Sequence, residues 1–359
     1  MTYSAIDDPS KHFQVNSYSG SSNPQTITNG GNSDLQPDFL WSKRQDAVAP
    51  HYLFNSTTGV NASLNSDATD AESGTTTYLA SFDSDGFTTG SDSALAYSGR
   101  TYVAWQWKAN GGTTTSVSGT GTSAGSTKAG TYQANTTAGF SIVTFSTGAD
   151  DNGDHRIEHG LGAVPHFIIT KERDGTYDWY TYHHNITDDN DYLRLNLTNA
   201  TSNAGARNVF DGSDFTSTYF EMDNNNIVND SKTYVAYCFT EIQGYSKFGR
   251  YTGNGSTNGP FNYCGFKPAM VMWKMTSSSG DWDIYDTARD TYNPAIKELL
   301  ANATNAESSS SVLSMDILSN GFKLRTTNAN GNANDGVYVF AAFAENPFVT
   351  SGGVPCTAR

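Results

Sequence analysis

Apolar and polar positions alternate along this chain in short runs, and almost every run is closed by Gly, Asn, Asp or Ser. Phe13-Gln-Val-Asn-Ser-Tyr18, Thr101-Tyr-Val-Ala-Trp-Gln-Trp107, Leu193-Arg-Leu195-Asn-Leu197 and Thr233-Tyr-Val-Ala-Tyr-Cys-Phe239 are examples. A period of two in aromatic and β-branched residues, bounded by turn formers, predicts short antiparallel strands. One stretch predicts a helix instead: Asn293 suits the cap, Pro294 the first helical position, and Ala295-Ile-Lys-Glu-Leu-Leu300 follows.

A longer pattern lies over the alternation. Pro37-Asp-Phe-Leu-Trp-Ser-Lys43, Pro165-His-Phe-Ile-Ile-Thr-Lys171 and Pro268-Ala-Met-Val-Met-Trp-Lys274 each place a Lys six residues after a Pro. His51, Trp179 and Trp282 stand fourteen residues after those prolines, and Tyr102, Tyr234 and Tyr338 open the last apolar strand of each copy. Near-constant spacing predicts one fold used three times. The expected fold is all-β: three tandem antiparallel β-sandwich repeats, jelly-roll or concanavalin-like, with short helices at most. The expected layout is a first repeat over 1–107, a Gly/Ser/Thr-rich linker or arm over 108–138, a second repeat over 139–243, a third over 244–348 and a tail over 349–359. Each unit is expected to bury its own core.

In that frame each signature Pro starts a strand, where its missing N–H does least harm. Phe167-Ile-Ile169 and Met270-Val-Met272 are continuous apolar strands covered on both faces. Lys43, Lys171 and Lys274 are expected at strand ends with their ammonium groups in water. Trp179 and Trp282 are read as core aromatics. Residues 108–138, almost all Gly, Ser, Thr, Ala and Asn, offer too little apolar surface to offset their ordering cost. A flexible linker is the first expectation; an arm ordered by adding a strand to an exposed edge is the second.

Composition agrees with a turn-rich β protein: 34 Gly, 39 Tyr plus Phe, and 16% charged residues. The formal charge of −15 repels phosphate backbones, so no nucleic-acid partner is expected. No apolar run approaches membrane-spanning length, and the opening residues lack a basic region followed by an apolar core, so neither membrane insertion nor a secretory leader is expected. Cys238, Cys264 and Cys356 have no motif spacing; Cys238, inside an apolar run, is read as a small buried hydrophobe.

The sequence singles out no catalytic, cofactor or metal residue. His155 and His159 are four apart on a hairpin and would not share a face; His183 and His184 are adjacent at a strand end and point apart. A solvated turn is the plainer reading of both pairs. The acidic clusters Asp150-Asp-Asn-Gly-Asp154 and Asp188-Asp-Asn-Asp191 could offer oxygen ligands to Ca²⁺ but do not follow the twelve-residue calcium loop. A glycan hydrolase would need two carboxylates across a cleft, and none is marked out. Tyr180 and Tyr182, on the face opposite Trp179, are the candidate recognition residues, a stacking platform for sugar, against the plainer reading of an outer sheet face.

Several segments together resemble one family. They are Ala5-Ile-Asp-Asp-Pro-Ser-Lys-His-Phe13-Gln, Tyr102-Val-Ala-Trp-Gln-Trp-Lys108, Gly139-Phe-Ser-Ile-Val-Thr-Phe145, Gly160-Leu-Gly-Ala-Val-Pro165, Gly244-Tyr-Ser-Lys-Phe-Gly249, Tyr251-Thr-Gly-Asn-Gly255 and Phe343-Ala-Glu-Asn-Pro-Phe348. Over nearly its full length the chain looks like the tandem-repeat virion proteins of marine tailed bacteriophages, including phages of cyanobacteria and other pelagic bacteria. The resemblance implies a non-enzymatic structural protein of the virion, assembled in the host cytoplasm. It also implies a tail-fibre or tail-tip component in host attachment, with other virion proteins as partners, a host surface glycan or receptor as target, and a homo-oligomer, by analogy a trimer. The chain shows neither the heptad repeat nor the separate anchor of long trimeric fibres. A head-decoration, cement or head-tail junction role therefore stays open, as does a glycan-degrading spike.

Overall fold

The computed structural model describes residues 4–21, 24–121, 125–149, 154–186, 188, 191–203, 209–210, 212–223, 228–309 and 311–357. The chain is all-β, as the alternation predicts, and its strands follow one another in three regions.

The first holds β1 (Phe13–Ser19), β2 (Thr26–Ile27), β3 (Phe39–Arg44), β4 (His51–Asn55), β5 (Gly59–Leu64), β6 (Leu79–Asp83), β7 (Gly86–Thr89) and β8 (Thr101–Trp107). They form a large sheet, β1-β8-β3-β4-β5, and a small one, β2-β7-β6. The second holds β9 (Thr115–Val117), β10 (Ser126–Thr127), β11 (Ala129–Asn135), β12 (Phe140–Ser146), β13 (Asp154–Glu158), β14 (Phe167–Glu172), β15 (Tyr180–His183), β16 (Asp191–Arg194), β17 (Ser202–Asn203), β18 (Tyr219–Asp223) and β19 (Thr233–Phe239). Its sheets run β17-β16-β15-β14-β19-β12-β11-β9 and β10-β13-β18. The third holds β20 (Ser246–Thr252), β21 (Phe261–Tyr263), β22 (Phe266–Met275), β23 (Trp282–Asp286), β24 (Lys297–Leu300), β25 (Ser308–Ser309), β26 (Met315–Leu318), β27 (Gly321–Leu324), the helical turn α1 (Ala329–Asn332) and β28 (Val337–Pro347). Here the order is β20-β28-β22-β23-β24-β25 and β21-β27-β26. No helix among the described residues is long and apolar enough to cross a membrane.

The three large sheets share one sequence of neighbours. An opening strand (β1, β12, β20) pairs with a closing strand (β8, β19, β28), which pairs with the strand of the Pro–Lys signature (β3, β14, β22), then with the next strand in the chain (β4, β15, β23). Registers agree as well: Tyr18 faces Tyr102, Phe145 faces Tyr234 and Tyr251 faces Tyr338. Each of these pairs is stacked, with ring centroids 5.3, 4.9 and 4.8 Å apart. Each closing-strand Tyr hydroxyl also accepts the backbone N–H five residues earlier, at Tyr97, Asn229 and Ala333.

The signature strands are buried on both faces, as their continuous apolar character predicts, and the two faces meet different cores. One face of the first and second large sheets covers a local cluster, around Leu40, Phe54 and Phe87 in the first and around Ile168, Phe210 and Phe220 in the second. The other face meets its counterparts in a single cluster that joins all three regions. At its centre Trp107, Phe239 and Phe343, one from each closing strand, touch pairwise with centroids 5.3 to 6.3 Å apart. Around them lie Phe39, Trp41, Phe167, Ile169, Met270 and Met272, leaving an apolar void of only about 10 Å³. The expectation of separately cored units is corrected: the large sheets share their deepest core.

Two local expectations also change. Residues 294–300 form no helix: β24 pairs with β23, and the Asp290 carboxylate accepts the N–H groups of Ile296 and Lys297. Tertiary pairing overrides a modest local preference. The low-complexity stretch after Trp107 contributes β9, β10 and β11, with residues 122–124 outside the described set. Its order is fixed by partners elsewhere. Asp38, fully buried, accepts the N–H groups of Ala109, Gly111 and Gly112, while Gln133 donates to the hydroxyls of Ser56 and Thr57.

Candidate functional site

The residues that the sequence repeats converge on the joints between regions. Fourteen residues after each signature Pro, a ring N–H reaches across a joint. Trp179 Nε1 donates to Asn65 O at 2.8 Å, and Trp282 Nε1 donates to Arg194 O at 2.9 Å. His51 closes the circle. Its Nδ1 accepts from Trp41 Nε1, so the proton sits on Nε2, which lies 2.9 Å from Leu300 O. The second region thus binds the first, the third binds the second, and the first binds the third. Burial holds the His51 imidazole well below its ordinary pKa, so the ring is neutral.

A second set of bonds repeats the circle in the opposite sense. Eight residues after each signature Pro, a carbonyl accepts a backbone N–H from the neighbouring region: Arg173 O from Glu72 at 2.6 Å, Thr276 O from Thr201 at 3.0 Å, and Gln45 O from Glu307 at 2.7 Å. Side chains strengthen individual joints. Arg173 grips Glu72 with two nitrogens, Nε at 3.0 Å and Nη2 at 2.7 Å, and Trp105 Nε1 donates to Asp286 Oδ2 at 3.1 Å. Asp286 is itself paired with the buried Arg289 at 2.6 Å. These bonds link the three regions in a closed circuit.

Of the signature lysines, Lys43 and Lys274 reach a carbonyl of the neighbouring region while Lys171 stays within its own, and the expectation that their ammonium groups lie in water is corrected. Lys43, Lys171 and Lys274 are at most 1% exposed. Each Nζ donates to the carbonyl of the next residue, at 2.8, 2.6 and 2.7 Å. Lys43 adds Thr304 O, Lys171 adds Gly175 O and Lys274 adds Thr198 O. Burial pushes all three amines down to about 8. Acidic neighbours, foremost Asp67, Glu172 and Asp281, pull the other way. Each lysine therefore acts as a buried donor that ties strand-end carbonyls together.

Trp179 and Trp282 are buried core aromatics, as expected. Tyr180 and Tyr182 do lie on the face opposite Trp179, but that face is not open to a sugar. Both are at most 8% exposed and pack with Tyr192, Phe210 and Phe215. Neighbouring chain covers them, and the proposed stacking platform is withdrawn.

The histidine pairs are not solvated turns either. His155, His159 and His183 are buried, and His184 is partly so. His183 accepts the Asn185 N–H at Nδ1 and meets Phe340 O with Nε2 at 3.1 Å, and His184 meets Phe248 O at 2.7 Å, so this pair also bridges two regions. Among the described residues no three His, Cys, Asp or Glu side chains gather as a metal site would require. The clusters at 150–154 and 188–191 lie largely outside the described residues. Cys238 is buried, as read from its apolar run.

One pair that sequence reading did not mark out is Asp283 and Glu298. Burial pushes the fully enclosed Asp283 carboxyl well above the usual range, and the Glu298 carboxyl beside it adds to this. Such a group is kept protonated, and it faces protein rather than a cleft. Only the pairing of β23 with β24 brings the two carboxyls near one another, and the fourteen residues between them hid it.

Comparison with curated proteins finds no match. The match to a family model spans residues 8–347, from the turn before β1 to the last residue of β28, so it takes in all three large sheets and every joint between them. The chain accordingly belongs to the family described as a domain of unknown function, DUF7483.

Proposed function

We propose that this chain is a non-enzymatic structural protein of a tailed-phage virion, a tail-fibre or tail-tip component that contributes to host attachment. One observation carries the reading: the repeated signature residues are spent on the joints of a closed ring. His51, Trp179, Trp282, Lys43 and Lys274 bond across those joints, and all of them, with Lys171, are buried. Residues placed in this way build shape. We read the three regions as three copies of one unit, so that a single chain presents three sandwiches around an axis, the arrangement that fibre proteins commonly reach with three chains. Loops at the rim of such a scaffold vary without disturbing the core and are where recognition of a host glycan or receptor would lie. The resemblance to tandem-repeat virion proteins of marine phages points the same way.

Two measurements test this. The protein at micromolar concentration should bind host cells or a subset of glycans on an array; no binding would remove the attachment role. In purified particles its copy number should be a small multiple of three or six. Hundreds of copies would favour the second reading, a decoration or cement protein. That reading has its own support in β11, which shows that the fold takes up strands at sheet edges.

A further inference from the structure

In the second region the outer edge of the opening strand β12 is covered. β11 pairs with it over seven residues, from Ala129 opposite Ser146 to Asn135 opposite Phe140. β1 and β20 are the opening strands of the other two large sheets, and each ends its sheet: among the described residues no strand pairs with its outer edge. A groove of about 360 Å³ runs beside each of them. The walls correspond too. Counted from the signature prolines, Asp38 and Ser56, which hold the approach to β11, match Ala269 and Thr287, and both of these line the groove at β1. Thr57, the second acceptor of Gln133, matches Asn185, which lines the groove at β20.

We propose that the groove at β20 is a strand-acceptor site, and that its occupant is an extended segment of another polypeptide laid antiparallel along Ser246–Thr252, as β11 is laid along β12. The strandless edge supplies main-chain donors and acceptors, apart from Phe248 O, which already meets His184 Nε2 at 2.7 Å and Asn185 Nδ2 at 3.1 Å, and the flanking side chains select the sequence. Arg250 is exposed and holds the place of Thr144, whose hydroxyl lies 2.8 Å from that of Thr131 in the occupied copy. An acidic residue at Thr131's place in the incoming strand would therefore meet a guanidinium. Gly249 holds the place of Val143, which faces Tyr132. The Phe340 ring lies over Gly249, 2.3 Å from where a Cβ would stand. Tyr263 and Phe261, 59% and 44% exposed, already give this groove an aromatic wall, so the incoming residue at Tyr132's place should be small. The fitting ligand is an extended, Gly/Ala-rich segment with one carboxylate opposite Arg250. The site stands on the sheet edges alone, whatever particle carries the chain.

The test uses the full chain, at low salt, with two fluorescein-labelled peptides patterned on β11: Ala-Gly-Asp-Ala-Gln-Ala-Asn and its counterpart with Lys for Asp. Fluorescence anisotropy should show saturable binding of the acidic peptide and at least about ten-fold weaker binding to Arg250→Glu, with the lysine peptide showing the reverse preference. Arg250 is exposed, so the variant should keep its fold, which the unchanged thermal midpoint will verify. Failure of both peptides to bind at about 1 mM, or an acidic-peptide affinity indifferent to Arg250→Glu, would overturn the proposal.

Discussion

Replacing Lys274 by Met keeps an unbranched side chain in the same space but takes the ammonium donor from Met275 O and from Thr198 O, of which Thr198 O keeps the N–H of Gly280. One donor lost at each acceptor, with Thr198 O still partnered, costs about 1–3 kcal/mol together, read as a lower denaturant midpoint with unchanged slope. The penalty should grow with pH. The folded amine titrates at about 8, below the unfolded value of about 10.4, so between those values the native state sheds its proton first and gains stability that the Met variant lacks. Midpoints for both proteins at pH 7.5 and 9.5 give the sign. Asp283 works the other way round. Its folded pKa is raised, so ionisation of the unfolded chain above about pH 4 costs the fold about 1.4 kcal/mol per unit of separation. Asp283→Asn should be near neutral at pH 4 and stabilising at pH 7. An equal effect at both values would show that the carboxyl is not held protonated.

At the scale of elements, the strands were legible and their partners were not. Alternation placed β1, β8 and β19, and continuous apolar runs placed the signature strands, because each stretch carries its own local record of which faces are buried. The Lys43 amine looked like a solvated strand end because one of its acceptors, Thr304 O, lies 261 positions away and no local pattern reports it. Residues 294–300 carried helix signals, yet β23 and Asp290 claim their backbone. Tyr180 and Tyr182 showed which face they occupy, but not that distant chain would cover it. The stretch after Trp107 read as a linker because its side chains are small; Asp38, a single buried carboxylate, gathers three of its N–H groups. Asp38→Ala should therefore loosen residues 109–117 before anything else. Limited proteolysis ought to cut there first, with thermal stability reduced by about 1–3 kcal/mol. Unchanged cleavage would mean that β11 alone holds the segment.

For the whole molecule, the consequence of the ring is shared fate. Each joint is made of a neighbour's side chain and a neighbour's carbonyl, so no region completes its own surface. Trp107, Phe239 and Phe343 touch where the three large sheets meet. Phe343→Ala should cost about 3–5 kcal/mol, as large aromatic truncations in tight cores do, and the loss should be felt equally in strands of the first region. Hydrogen exchange with mass spectrometry, run through a denaturant series on the intact protein, tests the ring most directly. Peptides from β8, β19 and β28 should lose protection together, at one midpoint; protection lost from one closing strand while the other two stay closed would contradict it.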